Sequence, residues 1–203
     1  RKWRSGGNEK TFLALEWIEG VTLESRIADG GMSESEAIPL FVQAASALAA
    51  VHSVGAVHRD VKPSNIMIDH LGQVRVMDFG IARSLVEVNQ CHTMTGVVRG
   101  SPPYMSPEQL RSIFGEAVGP SSDIYSLSAT FYELLSGARI FDHDSISKEV
   151  VDQRKLNGLV PKPLADLGSF NPDLRCLIMG GLNPEPGDRP ASMSVIEADL
   201  AAI

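Results

Sequence analysis

Residues 58–65 read His-Arg-Asp-Val-Lys-Pro-Ser-Asn, and residues 78–80 read Asp-Phe-Gly. The intervening residues 66–77 begin with a short apolar run, turn at Gly72 and end in an alternating run, a pattern that predicts a β-hairpin. Because a hairpin brings its two ends together, we expect both polar stretches to lie at one end of the same ribbon. Either His-Arg-Asp at residues 58–60 or Asp-Phe-Gly at residues 78–80 could arise by chance if it stood alone. The two in this order, with four residues between Asp60 and Asn65, are far more specific.

Composition and charge exclude several classes of protein. The 203 residues are 43% hydrophobic and 21% charged, which is typical of a folded globular protein. The net charge of −7 argues against binding nucleic acid or an anionic membrane through a basic surface. No apolar run reaches the roughly 18–20 residues of a membrane-spanning helix, and no signal peptide is apparent.

Only two cysteines occur, Cys91 and Cys176, so the sequence implies no disulfide framework. They favour a reducing compartment, and we expect a cytoplasmic protein. The Cys91-His92 pair could be part of a metal site, but no second pair has matching spacing, so the inert interpretation is preferred.

Helical periodicity dominates the chain outside the hairpin. Ser33 and Glu36 form a capping-box pattern that opens a helix running to about Ser53. A second long helix begins near Ser121, is apolar on most faces and is therefore predicted to be buried. The other predicted elements are a strand over 11–18 followed by a hinge at 19–20, a short helix over 22–28, and helices over 146–156, 172–181 and 191–202.

The chain resembles the eukaryotic-type Ser/Thr protein kinases of bacteria. Residues 93–96 and 100–109 resemble the activation segment of that family and its Ala-Pro-Glu box, in which Ser106 replaces Ala. Asp123 matches the Asp that bonds the catalytic-loop backbone, and Arg189 matches the Arg that pairs with the box Glu, here Glu108. The implied fold is α+β and protein-kinase-like: residues 1–19 are a remnant of the N-lobe sheet, and residues 20–203 are a mainly helical C-lobe.

The resemblance implies roles in phosphoryl transfer from ATP with Mg²⁺. Asp60 is the expected catalytic base, and Lys62 is expected near the γ-phosphate. Asn65 and Asp78 are the expected magnesium ligands. The expected nucleotide-contacting set is completed by Leu15 as gatekeeper, the backbone of Glu16 and Ile18 at the hinge, Ser64, and Met67 beneath the adenine. For Leu15 and Met67, ordinary core packing is the alternative.

The resemblance also implies regulatory, substrate-binding and structural roles. Arg59 is expected to pair with a phosphate on Thr93 or Thr95, although both threonines could be merely solvated. Ser101 is expected beside the substrate site. The substrates of the protein are expected to be proteins with Ser or Thr acceptors. Autophosphorylation in trans is a further possibility. His58, Phe79, Glu108, Asp123 and Arg189 are expected to be structural.

The N-lobe half of the family pattern is not found in this sequence. No G-x-G-x-x-G occurs, and Lys2 and Lys10 lie too close to Leu15 to be the lysine of the third N-lobe strand. We therefore expect an N-terminally truncated Ser/Thr kinase with little activity alone. The alternative is a non-catalytic kinase-like module that binds a partner protein. The presence of Asp60, Lys62, Asn65 and Asp78 together favours the enzyme.

Overall fold

A computed structural model describes residues 2–5, 8–11, 16–79, 103–112, 117–141, 148–157 and 170–203. Its strands are β1 (Lys2–Ser5), β2 (Asn8–Thr11), β3 (Gly20–Thr22), β4 (Ile66–Asp69) and β5 (Val74–Val76). Its α-helices are α1 (Leu23–Ala28), α2 (Glu34–Ser53), α3 (Pro107–Arg111), α4 (Pro120–Ser136), α5 (Lys148–Leu156), α6 (Pro172–Gly181) and α7 (Met193–Ala202). Short 3₁₀ turns cover Pro63–Asn65 and Pro186–Asp188.

The architecture is α+β, with a helical body and small antiparallel sheets, as the sequence predicts. β1 pairs with β2, and β3, β4 and β5 form a three-stranded sheet in that order. The β4–β5 pair is the hairpin predicted over residues 66–77. None of the helices in the described ranges combines the length and hydropathy that crossing a bilayer requires.

Helix α4 lies at the centre of the core, and its residues 122–134 are all buried. Pro120 occupies the first turn, where its missing N–H costs nothing, and Gly137 ends the helix in the left-handed conformation at φ 69°. Two buried hydroxyls on the helix lie beside backbone carbonyls of the preceding turn: that of Ser126 is 3.0 Å from the Ser122 carbonyl, and that of Thr130 donates to the Ser126 carbonyl at 2.9 Å. These polar side chains can therefore be buried in a helix that is otherwise largely apolar.

The other helices pack around α4. Helix α2 contacts both α4 and α7, and α6 also packs on α4. The crossing of α6 and α4 is close at Gly181, where an added Cβ would lie 2.0 Å from the Ser128 hydroxyl oxygen. Helix α2 begins as predicted, with the Glu36 carboxylate accepting a hydrogen bond from the Ser33 amide at 3.1 Å.

The sequence prediction was wrong where local pattern and long-range pairing disagree. Residues 16–18, predicted as part of a strand, have no regular secondary structure, and residues 12–15 lie outside the described ranges. The observed strands are β2, which ends at Thr11, and β3, which was not predicted. β3 pairs with β4 through Thr22 and Met67, so a partner remote in sequence defines it. Smaller differences at helix starts place Thr22 and Ser192 as N-caps rather than helical residues.

The predicted ion pair between Glu108 and Arg189 is formed and buried. The two Arg189 nitrogens donate to the two Glu108 oxygens at 2.7 and 2.9 Å. Ser122 of α4 adds a hydrogen bond to Glu108 at 2.6 Å, and Arg189 also donates to the Ser121 carbonyl at 2.9 Å. Burial favours the neutral acid, but the Arg189 and Ser122 hydrogen bonds outweigh it and hold the pKa of Glu108 below its usual value. The pair ties α3 and the 186–188 turn to the start of α4.

Arg189→Ala should lower the free energy of unfolding by about 3–5 kcal/mol at neutral pH, because it leaves the Glu108 charge buried without its partner. Denaturant melts measure this loss, and Arg175→Ala on α6 is the control for removing an arginine. A melt of Arg189→Ala that matches wild type would show that the pair contributes nothing to stability.

The loss of stability caused by Arg189→Ala should depend on pH. A carboxylate with a depressed pKa stabilises the fold above its unfolded pKa, and this stability is lost as the pH falls through the folded value. The difference between wild type and Arg189→Ala should therefore shrink below about pH 4.5, the ordinary Glu value.

Candidate active site

The stretch after α2 is held in an unusual backbone conformation by Asp123. Arg59 has a φ of 67°, in the left-handed region that side chains other than Gly rarely adopt. One Asp123 oxygen accepts the amide of His58 at 2.8 Å, and the other accepts the amide of Arg59 at 2.8 Å. His52 of α2 reaches the first of these oxygens, also at 2.8 Å. The contact expected for Asp123 is present, and it fixes the backbone immediately before Asp60.

His58 joins the two polar stretches of the sequence. Its Nδ1 accepts the amide of Asp60 at 3.3 Å, so its Nε2 carries the proton and donates to the Met77 carbonyl at 2.9 Å. The Met77 amide in turn donates to the Asn65 carbonyl at 2.8 Å. The ring of Phe79 lies 4.9 Å from the His58 ring, centroid to centroid. The loop and the residue before Asp78 are therefore one hydrogen-bonded unit.

Asp60 lies in a cluster with Lys62 and Asn65. The Lys62 ammonium is 2.9 Å from Asp60 Oδ2, and both side chains are partly exposed, at 22% and 26%. Asn65 Nδ2 donates to the same oxygen at 3.1 Å and to the Asp60 carbonyl at 2.8 Å. The carboxylate is thus oriented from two sides while remaining reachable from solvent.

Asn65 and Asp78 supply oxygen donors of the kind that Mg²⁺ prefers. Both hydrogen bonds of the Asn65 side chain use Nδ2, so within the described ranges its Oδ1 is not engaged. Asp78 has an exposed side chain and a φ of 53°, a second left-handed residue at the same end of the hairpin. The donor set fits a magnesium ion, which these two residues would hold.

These geometries agree with what comparison with known proteins shows. Residues 4–200 match the model of the protein kinase domain family. The chain belongs to the protein kinase family. It is 37% identical over 193 residues to the serine/threonine-protein kinase PknB of Mycolicibacterium smegmatis, covering 95% of this chain and 30% of that protein. It is 38% identical over 193 residues to PknL of Mycobacterium tuberculosis, covering 95% of this chain and 47% of that protein.

The resemblance to bacterial Ser/Thr kinases, and the kinase-like fold with a helical C-lobe, are therefore confirmed. The chain spans between about a third and a half of the length of these relatives.

The residues predicted to contact nucleotide are only partly described. Glu16 is exposed, Ile18 and Ser64 are half-buried, and Leu15 lies outside the described residues. Met67 is half-buried on β4 and does not belong to the hydrophobic core, whereas its neighbours Ile66 and Ile68 contribute to that core. Both interpretations of Met67, nucleotide contact and ordinary packing, stay predictions. The predicted sites at Thr93, Thr95 and Ser101 also lie outside the described residues.

Sequence reasoning missed Gln109, which connects α3 to the loop that carries Asp60. Its Nε2 donates to the Arg59 carbonyl at 2.8 Å, and its Oε1 accepts the Ser106 amide at 3.0 Å. Ser106 caps α3 by accepting the Gln109 amide at 3.3 Å, so the Ser that replaces the family Ala has a structural use. The capping-box spacing of Ser106 and Gln109 was visible in the sequence, but the bond to Arg59 was not.

Gln109→Leu should destabilise the protein by about 1–2 kcal/mol, because the Arg59 carbonyl loses its donor and α3 loses half of its capping box. Thermal or denaturant melts measure the change. Gln73→Leu is the control, since Gln73 is exposed in the hairpin turn. Equal stability of the Gln109 and Gln73 variants would show that the bond to Arg59 is dispensable.

Proposed function

We propose that this protein transfers the γ-phosphoryl group of ATP to Ser or Thr hydroxyls of protein substrates. The observation that carries the proposal is the Asp60 carboxylate, held by Lys62 and Asn65 next to the hairpin end that bears Asp78. Membership of the kinase family and similarity to bacterial Ser/Thr kinases support the same reaction.

Asp60 is the proposed group that orients the acceptor hydroxyl and receives its proton. A general base must reach the attacking oxygen, and the two side chains bound to Asp60 fix its direction without covering it. Lys62, whose ammonium lies 2.9 Å from Asp60, is proposed to offer its positive charge to the phosphoryl group during transfer.

Asn65 and Asp78 are the proposed magnesium ligands, with Oδ1 of Asn65 and the exposed carboxylate of Asp78 as donors. A magnesium ion held by these two residues would offset the negative charge of the phosphates. The Met77 amide donates to the Asn65 carbonyl at 2.8 Å, which holds Asn65 beside the residue that precedes Asp78, and His58 binds the Met77 carbonyl. The protein would thus supply positioning before substrate arrives. Glu16, Ile18, Ser64 and Met67 are proposed to contact the nucleotide.

A regulatory role is proposed for Arg59. Its backbone is fixed by Asp123 and Gln109 beside Asp60, so a phosphate that engaged its side chain would act directly on the catalytic loop. Thr93 and Thr95 are the proposed acceptors, and autophosphorylation in trans is one proposed route.

Asp60→Asn in the whole protein should lower the phosphoryl-transfer rate by roughly 10²–10⁴, the usual size of an acid–base contribution. Asp78→Asn should abolish metal-dependent transfer, because it removes a charged metal ligand. The assay follows labelled γ-phosphate from ATP into peptide libraries with a fixed Ser, Thr or Tyr acceptor, with and without a magnesium chelator.

Asp173→Asn, an exposed carboxylate at the start of α6, is the matched control and should retain wild-type activity. Wild-type rates in Asp60→Asn or Asp78→Asn would refute the kinase proposal. A folded wild-type protein that bound other proteins but transferred no phosphate would favour the non-catalytic module instead.

A further inference from the structure

Residues 103–105 precede the Ser106 cap and belong to no helix or strand, yet a buried donor binds each of their carbonyls. The Lys155 ammonium nitrogen lies 3.0 Å from the Pro103 oxygen and 3.0 Å from the Met105 oxygen. The Ser126 hydroxyl of α4 donates to the intervening Tyr104 oxygen at 2.8 Å. Side chains of two helices thus fix three consecutive carbonyl groups that belong to no helix or sheet.

Lys155 is an unusual residue for its position in the core. It lies on α5 with 1% of its surface exposed, between the rings of Tyr125 and Phe141 at 5.9 and 5.7 Å. Burying an amine is costly unless it is hydrogen-bonded, and a leucine or methionine would fill the same space without that cost. The reach of a long stem to two carbonyls is what distinguishes lysine here.

The contact persists whichever protonation state Lys155 adopts. Burial lowers the pKa of Lys155 to about 7, and the Asp152 carboxylate on the same helix opposes part of that fall. An ammonium has three N–H donors, and a neutral amine retains two, one for each carbonyl. The hydrogen bonds can therefore hold the segment on both sides of neutral pH.

The segment is connected to the loop that carries Asp60 through helix α3. It leads directly into Ser106 and α3, where Gln109 binds the carbonyl of Arg59, the residue before Asp60. The Tyr104 hydroxyl donates to Glu133 of α4 at 2.5 Å, so the side chain as well as the backbone is anchored. Burial and the Glu133 hydrogen bond raise the pKa of Tyr104, which keeps it a donor. Because the segment is joined through Gln109 to the loop that carries Asp60, it is a neighbouring surface for a peptide whose hydroxyl reaches Asp60.

We propose that Lys155 is a positioning residue for the protein substrate, fixing from helix α5 the backbone of residues 103–105 against which the acceptor peptide lies. The proposal rests on the proposed kinase function and deepens it. When the backbone of residues 103–105 is already ordered, peptide binding avoids the entropy cost of ordering it on each encounter. The effect should therefore fall on the peptide and not on ATP.

The test uses two variants of matched size in the whole protein. Lys155→Met fills the space without any donor, and Lys155→Gln fills it with an amide that keeps two donors. Gln153→Ala, an exposed position on the same helix, is the control. The measurements are KM for peptide, KM for ATP, kcat, and the amide hydrogen-exchange rates of residues 104–109.

Lys155→Met should raise the KM for peptide about tenfold or more. The KM for ATP should stay within about twofold of the wild-type value. Lys155→Gln should recover part of this loss. Exchange across residues 104–109 should accelerate in Lys155→Met and not in Gln153→Ala. If Lys155→Met does not fold, Lys155→Gln alone should show a smaller rise in the same direction.

Unchanged peptide KM together with unchanged exchange would overturn the proposal, as would equal losses for peptide and ATP, which indicate a general packing role. A wild-type protein that transfers no phosphate would refute the proposed function, and the substrate role of Lys155 with it. Exchange rates would still report whether Lys155 holds the segment, so the two failures are distinguishable.

Discussion

The carboxylate of Asp123 is the interaction on which the rest of the site depends. It accepts two consecutive backbone amides, from His58 and Arg59, and a third hydrogen bond from His52. A fully buried carboxylate would be costly without such donors, and three of them offset that cost. In return the loop is held with Arg59 at positive φ, a conformation that its own sequence disfavours. The orientation of Asp60 and the link through His58 to Asp78 both follow from this.

Helix α4 serves as the frame because its buried face is partly polar. Ser122 binds the Glu108 carboxylate, Asp123 binds the catalytic loop, and Ser126 and Glu133 bind Tyr104. One rigid element therefore fixes two segments that are far apart in sequence, residues 58–59 and residues 104–108. Because each of these side chains has its partner, the helix can be both the centre of the core and the support of the site.

Much of this arrangement was predictable, because its signals are local or belong to a motif. The hairpin after Asn65 follows from alternation around Gly72, and the start of α2 follows from the Ser33 capping box. The Glu108–Arg189 pair followed from the family resemblance. Strand β3 was missed because three residues carry no period and only pairing with β4 defines them.

Gln109 and Lys155 were missed for a different physical reason. Both donate to backbone carbonyls, and every residue offers a carbonyl, so the sequence of the acceptor carries no signal. Lys155 would ordinarily be assigned to solvent, since a charged end on a short polar helix suggests exposure. Only the three-dimensional structure shows that its stem crosses the core to reach residues 103 and 105.

The measurement that tests the central claim most directly is kcat for phosphoryl transfer by the Asp123→Asn variant. Asparagine keeps the size of the side chain but replaces one acceptor with a donor facing a backbone amide. Loss of one charge-assisted hydrogen bond corresponds to about 1.5–3 kcal/mol, so kcat should fall roughly 10- to 100-fold. Asp199→Asn, an exposed carboxylate on α7, should be unaffected. A folded Asp123→Asn protein with wild-type kcat would contradict the account, because the catalytic loop would then hold its geometry without the carboxylate.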